Sequence, residues 1–422
     1  MEPRPTVPAS LALIALVLPA LGGCLGQPAP AAEQPTAAHG QGQLRAFDLY
    51  VAAGTLEPVK GKPFFALGFV ADPADPLRVP GPEIRVTEGD TVRVTLHGAH
   101  HTLHWHGVSV PWAMDGVPYM TQTLGDGNYV YEFVARETGT YWYHCHVDAP
   151  VHIDLGMFGA FIVEPRDPSP DPPFTREYTL FLHEQDVAGL NALGAGFGIS
   201  RGDPSGVLPV AGGAPANPAE LPGYAEHIAI AGTDAAGVGL GRATGSYLAG
   251  SVGPRDYYPE SSVRYFPHYD TFMINGKVFP DTEPVKIRTG ETVRIRLINA
   301  GQLLHTMHLH GHHGLVTHKD GYRLASPYYA DTIVLGPGER YDVYVKGDNP
   351  GIWDLHDHGG GWGAGAYATT DGAFPGGMNT MLVYEDFEYA QLPAPEPGAH
   401  RTSADYMVWA PSYRGVAPAH VH

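Results

Sequence analysis

The chain has almost no cysteine: two residues in 422, Cys24 and Cys145. That scarcity excludes a fold stapled by disulfides. Basic residues are also few, 25 Lys and Arg against 44 Asp and Glu, and the formal net charge of −19 argues against a nucleic-acid partner. No P-loop and no continuous basic patch occurs. Long apolar runs are missing apart from Leu11 to Leu18, which is too short for a spanning helix retained in the mature chain. That run follows Arg4 and is closed by Leu21-Gly22-Gly23-Cys24, so residues 1–24 read as an export signal ending in a lipidation site. An ordinary cleaved signal with an incidental cysteine is the plainer alternative. Residues 25–44, rich in Pro, Ala and Gln, read as a flexible tether. The expectation is an exported, extracytoplasmic protein that meets a membrane only through a lipid anchor at Cys24. Cys145 is then the sole thiol of the folded part, and a free thiol outside the cytoplasm needs a reason.

What the chain does have is glycine (54), proline (40) and repetition. Glycine and proline in such amounts suit short strands joined by many turns. Glu88-Gly89-Asp90-Thr91-Val92-Arg93-Val94-Thr95-Leu96 corresponds to Thr289-Gly290-Glu291-Thr292-Val293-Arg294-Ile295-Arg296-Leu297, both alternating as half-buried strands do. Each is followed by the same histidine spacing: His101-Thr102-Leu103-His104-Trp105-His106-Gly107 and His305-Thr306-Met307-His308-Leu309-His310-Gly311. Gly139-Thr140-Tyr141-Trp142-Tyr143-His144-Cys145-His146 likewise matches Gly351-Ile352-Trp353-Asp354-Leu355-His356-Asp357-His358. The simplest architecture is all-β, with two tandem Greek-key β-sandwich domains at 45–165 and 174–389. The second carries a Gly/Pro-rich insertion at about 187–265, a length of loop that is either functional or poorly ordered. A proline-rich tail follows at 390–422.

The histidine pairs carry the chemistry. Some His-x-His pairs are accidents of a histidine-rich chain, as His420/His422 and the overlap of His310 with His312 show. The pairs His104/His106, His144/His146, His308/His310 and His356/His358 differ because they occupy equivalent places in two repeats. Imidazole suits copper among other metals, and about eight imidazoles would hold a cluster of about three ions. Successive side chains on a strand point to opposite faces, so Cys145 faces one way while His144 and His146 face the other. A thiolate ligand on one face would then be joined through the backbone to imidazole ligands on the opposite face, a path for single electrons. His101, Cys145, His152 and Met157 offer two imidazoles, a thiolate and a weak axial thioether, the donor set of a blue-copper site; Met157 could instead be a core methionine. In the second repeat His305 persists but Asp357 replaces the cysteine, so that domain is expected to supply cluster ligands and no electron-entry copper.

Together with Met114-Asp115-Gly116-Val117-Pro118, Thr121-Gln122 and Pro337-Gly338-Glu339-Arg340-Tyr341-Asp342-Val343, these motifs resemble the laccase-like multicopper oxidases across nearly all of the chain between Arg45 and Tyr389. With two cupredoxin-like repeats and the cysteine in the first, the chain is similar to the two-domain type. The resemblance implies about four copper ions per chain: a type 1 copper on His101, Cys145, His152 and Met157, a type 2 copper on His104 and His308, and a type 3 pair on His106, His144, His146, His310, His356 and His358. It implies one-electron oxidation of a phenol, aromatic amine or metal ion coupled to four-electron reduction of dioxygen to water, with Cys145 in the electron path. It places Asp115 and Asp148 near the proton path, although a turn residue and a solvated loop acid are the plain readings of these two. A homotrimer with clusters between subunits is also implied, while an intrachain interface would use the same residues. Copper nitrite reductase shares the architecture and the blue-copper ligands. It departs at His104, where it has an aspartate, and at His146. A non-enzymatic copper or electron-transfer protein is the third reading, and eight paired imidazoles exceed its needs.

Overall fold

Apolar residues alternate with polar ones along 91–97, and in the computed structural model this segment is a strand whose burial alternates in step. The structure describes residues 42–98, 101–118, 120–122, 128–147, 149–167, 170–187, 190–191, 269–359, 376–387 and 403. The leader, Cys24 and most of the tether lie outside these residues, as do Asp148, nearly all of the 187–265 insertion and all of the 390–422 tail except Ser403.

The first repeat contains β1 (Leu44–Leu56), β2 (Phe64–Val70), β3 (Ile84–Thr87), β4 (Thr91–His97), β5 (His104–His106), β6 (Tyr129–Val134), β7 (Gly139–His144), a short helix α1 (Ala149–Leu155) and β8 (Phe158–Glu164). They form two four-stranded sheets, ordered β2-β1-β4-β6 and β3-β8-β7-β5. Between the sheets lie Val51, Val92, Val94, Tyr131, Phe133 and Phe161, packed around a buried Trp105 whose ring meets Tyr131, Phe133 and Phe161 edge-on.

The second repeat contains β9 (Arg176–Gln185), β10 (Thr271–Ile274), β11 (Val285–Ile287), β12 (Thr292–Asn299), β13 (His305–Leu309), β14 (Gly314–Lys319), β15 (Tyr322–Ala330), β16 (Thr332–Leu335), β17 (Arg340–Lys346), β18 (Ile352–Asp357) and β19 (Asn379–Tyr384). Its sheets are ordered β10-β9-β12-β17-β14-β15 and β11-β19-β18-β13-β16. The two repeats share their pairing logic. β1 runs parallel to β4 as β9 does to β12, and β3 runs parallel to β8 as β11 does to β19. The β5–β7 pair sets His104 opposite His144, and the β13–β18 pair sets His308 opposite His356. Each repeat also makes the turn into its β4-type strand on a glycine of positive φ, Gly89 at 84° and Gly290 at 86°, a conformation other residues adopt only with strain.

The fold is thus all-β, two tandem cupredoxin-like β-sandwiches, as expected. One expectation needs correction. β12 is not half-buried like its counterpart β4: seven of its eight residues are buried, including Arg294 and Arg296. The reason is the junction between the repeats. Phe158, Ile162 and Trp142 of the first pack with Phe181 and Ile298 of the second in one apolar cluster. Beside it Arg296 pairs with Asp342 at 3.0 Å and with Glu177 at 2.9 Å, and it donates to the hydroxyl of Thr140, which itself donates to Asp342. Arg294 joins Glu164 and Glu177. These side chains are charged but paired, with Glu177 and Asp342 inside the second repeat and with Glu164 across the junction, which makes their burial tolerable. Arg296→Met should therefore leave Asp342 buried without its cation and destabilise the fold by about 3–5 kcal/mol, read as a lower denaturation midpoint in urea or guanidinium.

Candidate metal centre

Three buried donors converge at the end of β7. The sulfur of Cys145 lies 3.2 Å from Nδ1 of His152 and 3.5 Å from Nδ1 of His101. All three donor atoms lie within 4.8 Å of one another, and His101, Cys145 and His152 are at most 3% exposed. The local chain explains the convergence. Helix α1 carries His152 back over the strand end, the amide of Met157 donates to the carbonyl of His152 (2.9 Å), and the amide of Cys145 donates to the carbonyl of Met157 (3.0 Å). Met157 is fully buried beside them. Thiolate and two imidazoles in a dry pocket fit a soft, single-electron metal such as copper.

A second group begins on the other side of the same backbone. The strand itself ends at His144, so Cys145 and His146 lie just past it, a small departure from the expectation of one continuous strand. The alternation nonetheless persists: His144 and His146 stack with ring centroids 5.8 Å apart and planes 23° apart, while Cys145 turns to His101 and His152. On β5 the same alternation sends Trp105 into the core and leaves His104 and His106 on the side of His144. His104 lies 5.1 Å, ring to ring, from both His144 and His146. His106 Nδ1 is 3.4 Å from His144 Nε2, and the ligand atoms of His104, His106 and His144 lie within 4.8 Å of one another.

Hydrogen bonds fix these rings. His144 donates from Nδ1 to the carbonyl of Cys145 (2.9 Å), and His104 from Nδ1 to the carbonyl of Asp115 (2.8 Å), which leaves Nε2 of each as a lone pair. The carboxylate of Asp115 also stands 3.4 Å from His104 Nδ1, so Asp115 is brought to the site. His106 stacks on Trp142, and Gly107 after it has a φ of 83°, a conformation other residues adopt only with strain, with the Arg340 guanidinium of β17 in the space a Cβ would take. Burial keeps the imidazoles neutral, the form that binds metal: His106 is lowered to about 3 by burial and by the nearby Arg340 guanidinium, His144 falls well below its ordinary value, and His146 falls in the same direction.

The second repeat builds a matching quartet. His310 Nε2 is 3.1 Å from His356 Nε2, His308 lies 4.7 Å from His310 and 5.4 Å from His358, and His356 stacks over His358 at 5.7 Å and 26°. His356 donates from Nδ1 to the carbonyl of Asp357 (3.0 Å), as His144 does to that of Cys145, and His308 Nδ1 reaches the carbonyl of Asp331 at 3.1 Å. Burial lowers His356 as well. His312 bonds the hydroxyl of Tyr384 and the carbonyl of His310.

At the position of Cys145, Asp357 takes a different partner set. Its Oδ2 is 2.8 Å from Nδ1 of His305, whose Nε2 is 2.9 Å from Glu184. Sequence reading missed Glu184, which lies 121 residues from His305; the exchange of cysteine for aspartate opposite a retained histidine was the available signal.

A multicopper oxidase model matches residues 77–168, and a second multicopper oxidase model matches residues 255–362. The multicopper oxidase mgLAC is 30% identical, covering 86% of this chain and 93% of its own, with a TM-score of 0.61. The chain belongs to the multicopper oxidase family. A blue copper oxidase of Nitrosomonas europaea is 29% identical over 88% of this chain and 91% of its own, with a TM-score of 0.60. The multicopper oxidase MmcO of Mycobacterium tuberculosis is 28% identical over 75% of this chain, which spans 58% of that relative's length. Family membership implies copper, and the donors described above suit it. No helix among the described residues is long and apolar enough to cross a membrane.

The buried triad sets a pH dependence. Burial alone would lower His305, but its hydrogen bonds to Asp357 and Glu184 outweigh that and raise it to about 9, from 6.5 in an unfolded chain. Its contribution to stability is thus complete below pH of about 6.5 and fades as the pH climbs through about 9. Melting of the copper-free multicopper oxidase should shift to lower temperature across that window, and His305→Phe should flatten the slope there.

Proposed function

We propose that this multicopper oxidase is a laccase-like enzyme that oxidises a phenol, an aromatic amine or a metal ion one electron at a time and reduces dioxygen to water. The observation that carries this reading is the position of Cys145. Its sulfur sits between two buried imidazoles, while its carbonyl receives the ring proton of His144 from the neighbouring quartet. One residue therefore touches both groups of donors.

His101, Cys145, His152 and Met157 would hold the type 1 copper; His104 and His308 the type 2 copper; and His106, His144, His146, His310, His356 and His358 the type 3 pair, for about four ions per chain. When bound, these ions supply one-electron uptake at the thiolate and four-electron reduction of dioxygen at the cluster. The protein's part is to keep the imidazoles neutral and oriented, to bond the sulfur covalently to His144 and His146 through the backbone, and to hold Asp115 beside His104, where its partly exposed carboxylate can exchange protons with solvent. Asp148 would serve the same proton path. Nitrite reduction fits less well, because His104 stands where that enzyme needs its aspartate and His146 completes the first quartet.

Each quartet keeps its ring contacts within its own repeat. Among the described residues, no grouping of ligand atoms within 4.8 Å joins the two. Exposed apolar side chains flank both: Trp112 (70% exposed) precedes Asp115, and Tyr329 (69%) precedes the Asp331 carbonyl that holds His308. A second copy covering these faces would unite one chain's first quartet with the next chain's second. Such a head-to-tail contact closes as a homotrimeric ring. An extracytoplasmic setting with a lipid anchor at Cys24 completes the reading.

Three measurements test it. Copper analysis of the loaded protein should give about four ions per chain, against about two for a nitrite reductase. Cys145→Ser should abolish the blue colour and bring oxygen consumption to background while the cluster still fills; retained oxidase activity would overturn the electron path. Light scattering should give a trimeric mass, and Tyr329→Glu should shift it toward the monomer with loss of the cluster.

A further inference from the structure

The second repeat has no thiolate with which to anchor its quartet, yet neighbouring rings among His308, His310, His356 and His358 still lie 4.7 to 5.8 Å apart. In the first repeat Cys145 ties the end of β7 to His101 and His152, and its carbonyl orients His144. In the second, the equivalent side chain, Asp357, belongs to a chain of three buried groups, Asp357–His305–Glu184, each at most 2% exposed at the side chain. Every carboxylate oxygen in it has a donor. Asp357 Oδ2 takes His305 Nδ1, and Oδ1 takes both the amide (2.8 Å) and the hydroxyl (2.9 Å) of Thr306. Glu184 Oε2 takes His305 Nε2, and Oε1 takes the amides of Gln302 and Leu303.

These bonds reach the quartet by two routes. The Thr306 carbonyl accepts from the amide of His358 (2.8 Å), and the Asp357 carbonyl accepts from His356 Nδ1 (3.0 Å). Thr306 also precedes the Met307↔Asp357 and His308↔His356 pairs of β13 and β18. Glu184 is on β9, in the opposite sheet, so the triad ties the two sheets together beneath the histidines. Because both nitrogens of His305 face carboxylates on opposite sides, the imidazole is saturated, and the group closes on itself instead of converging on an ion.

We propose that the Asp357–His305–Glu184 triad is the positioning device of the second quartet, doing with a buried hydrogen-bonded chain what the metal-binding thiolate does in the first. Its residues act on copper through His356, His358 and His308 and touch no reactant. The inference rests on the reading of the quartets as copper ligands.

The test compares wild type, Asp357→Asn and Glu184→Gln after loading with copper, following loss of cluster copper to a chelator while the blue absorption reports on the Cys145 site of the same molecules. Asp357→Asn keeps an acceptor for Thr306 but turns a donor toward His305; Glu184→Gln perturbs the chain at its far end, away from any histidine ligand. Expected is retention of the blue band with cluster copper held about 10- to 100-fold more weakly in Asp357→Asn, a change in the same direction in Glu184→Gln, and a lower kcat at unchanged KM for the reductant. If Asp357→Asn does not fold, Glu184→Gln decides alone. Wild-type chelator resistance in the folded variants would overturn the positioning role, whereas a wild-type protein that takes up no copper in its quartets would overturn the copper reading itself.

Discussion

An imidazole whose Nδ1 is committed to a backbone carbonyl has a fixed tautomer, a fixed plane and one lone pair left to offer. His104, His144 and His356 are held in this way by Asp115, Cys145 and Asp357, and His308 by the carbonyl of Asp331 together with the hydroxyl of Thr332. The candidate metal centre depends on that constraint more than on the number of its histidines. A free imidazole turns about two bonds and can spend its lone pair on water or protonate near neutral pH. A ring tied to the backbone beside it cannot turn freely, and burial lowers His144 and His356 toward the neutral form against the opposing pull of that bond. Asp357 lies within the β13–β18 pairing and Cys145 one residue past β7, whereas Asp115 and Asp331 lie outside both pairings, so the sheet ladders and the turns beside them together set the geometry of the rings.

The junction between the repeats supports the same centre from behind. Arg340 is buried, donates to the carbonyls of Thr140 and Gly338, and lies against Gly107, which places its charge near His106. Gly338 in the same turn leaves room for the His106 ring, which a side chain there would strike. The stretch 337–343 thus belongs to the second repeat by sequence and helps shape the first repeat's quartet. Arg296, Asp342 and Thr140 hold that contact with paired charges that burial would otherwise make costly.

Much of this was legible beforehand. Strand alternation at Thr91–His97, the recurrence of each His-x-His pair and the single thiol at Cys145 announce two sandwiches and a copper site, because period-two side-chain direction and donor chemistry are local properties. The burial of β12 was not legible: Arg294 and Arg296 read as solvent-facing until carboxylates from elsewhere in the chain, Glu164, Glu177 and Asp342, are placed around them. The continuous strand expected through His146 also failed: β7 ends at His144, and a turn follows at Val147 before α1.

The sequence by itself determined which side chains could bind metal, that they come in two matched sets, and that only the first set is backed by sulfur. Residue identity and short spacing suffice for those statements. Tertiary structure alone decided that Glu184, far away along the chain, meets His305, that the Asp331 carbonyl and the Thr332 hydroxyl hold His308, and that, among the described residues, no grouping of ligand atoms joins the two quartets. Such pairings follow from how sheets stack and which backbone atoms they leave at the rim, and no local pattern encodes a contact made by distant strands.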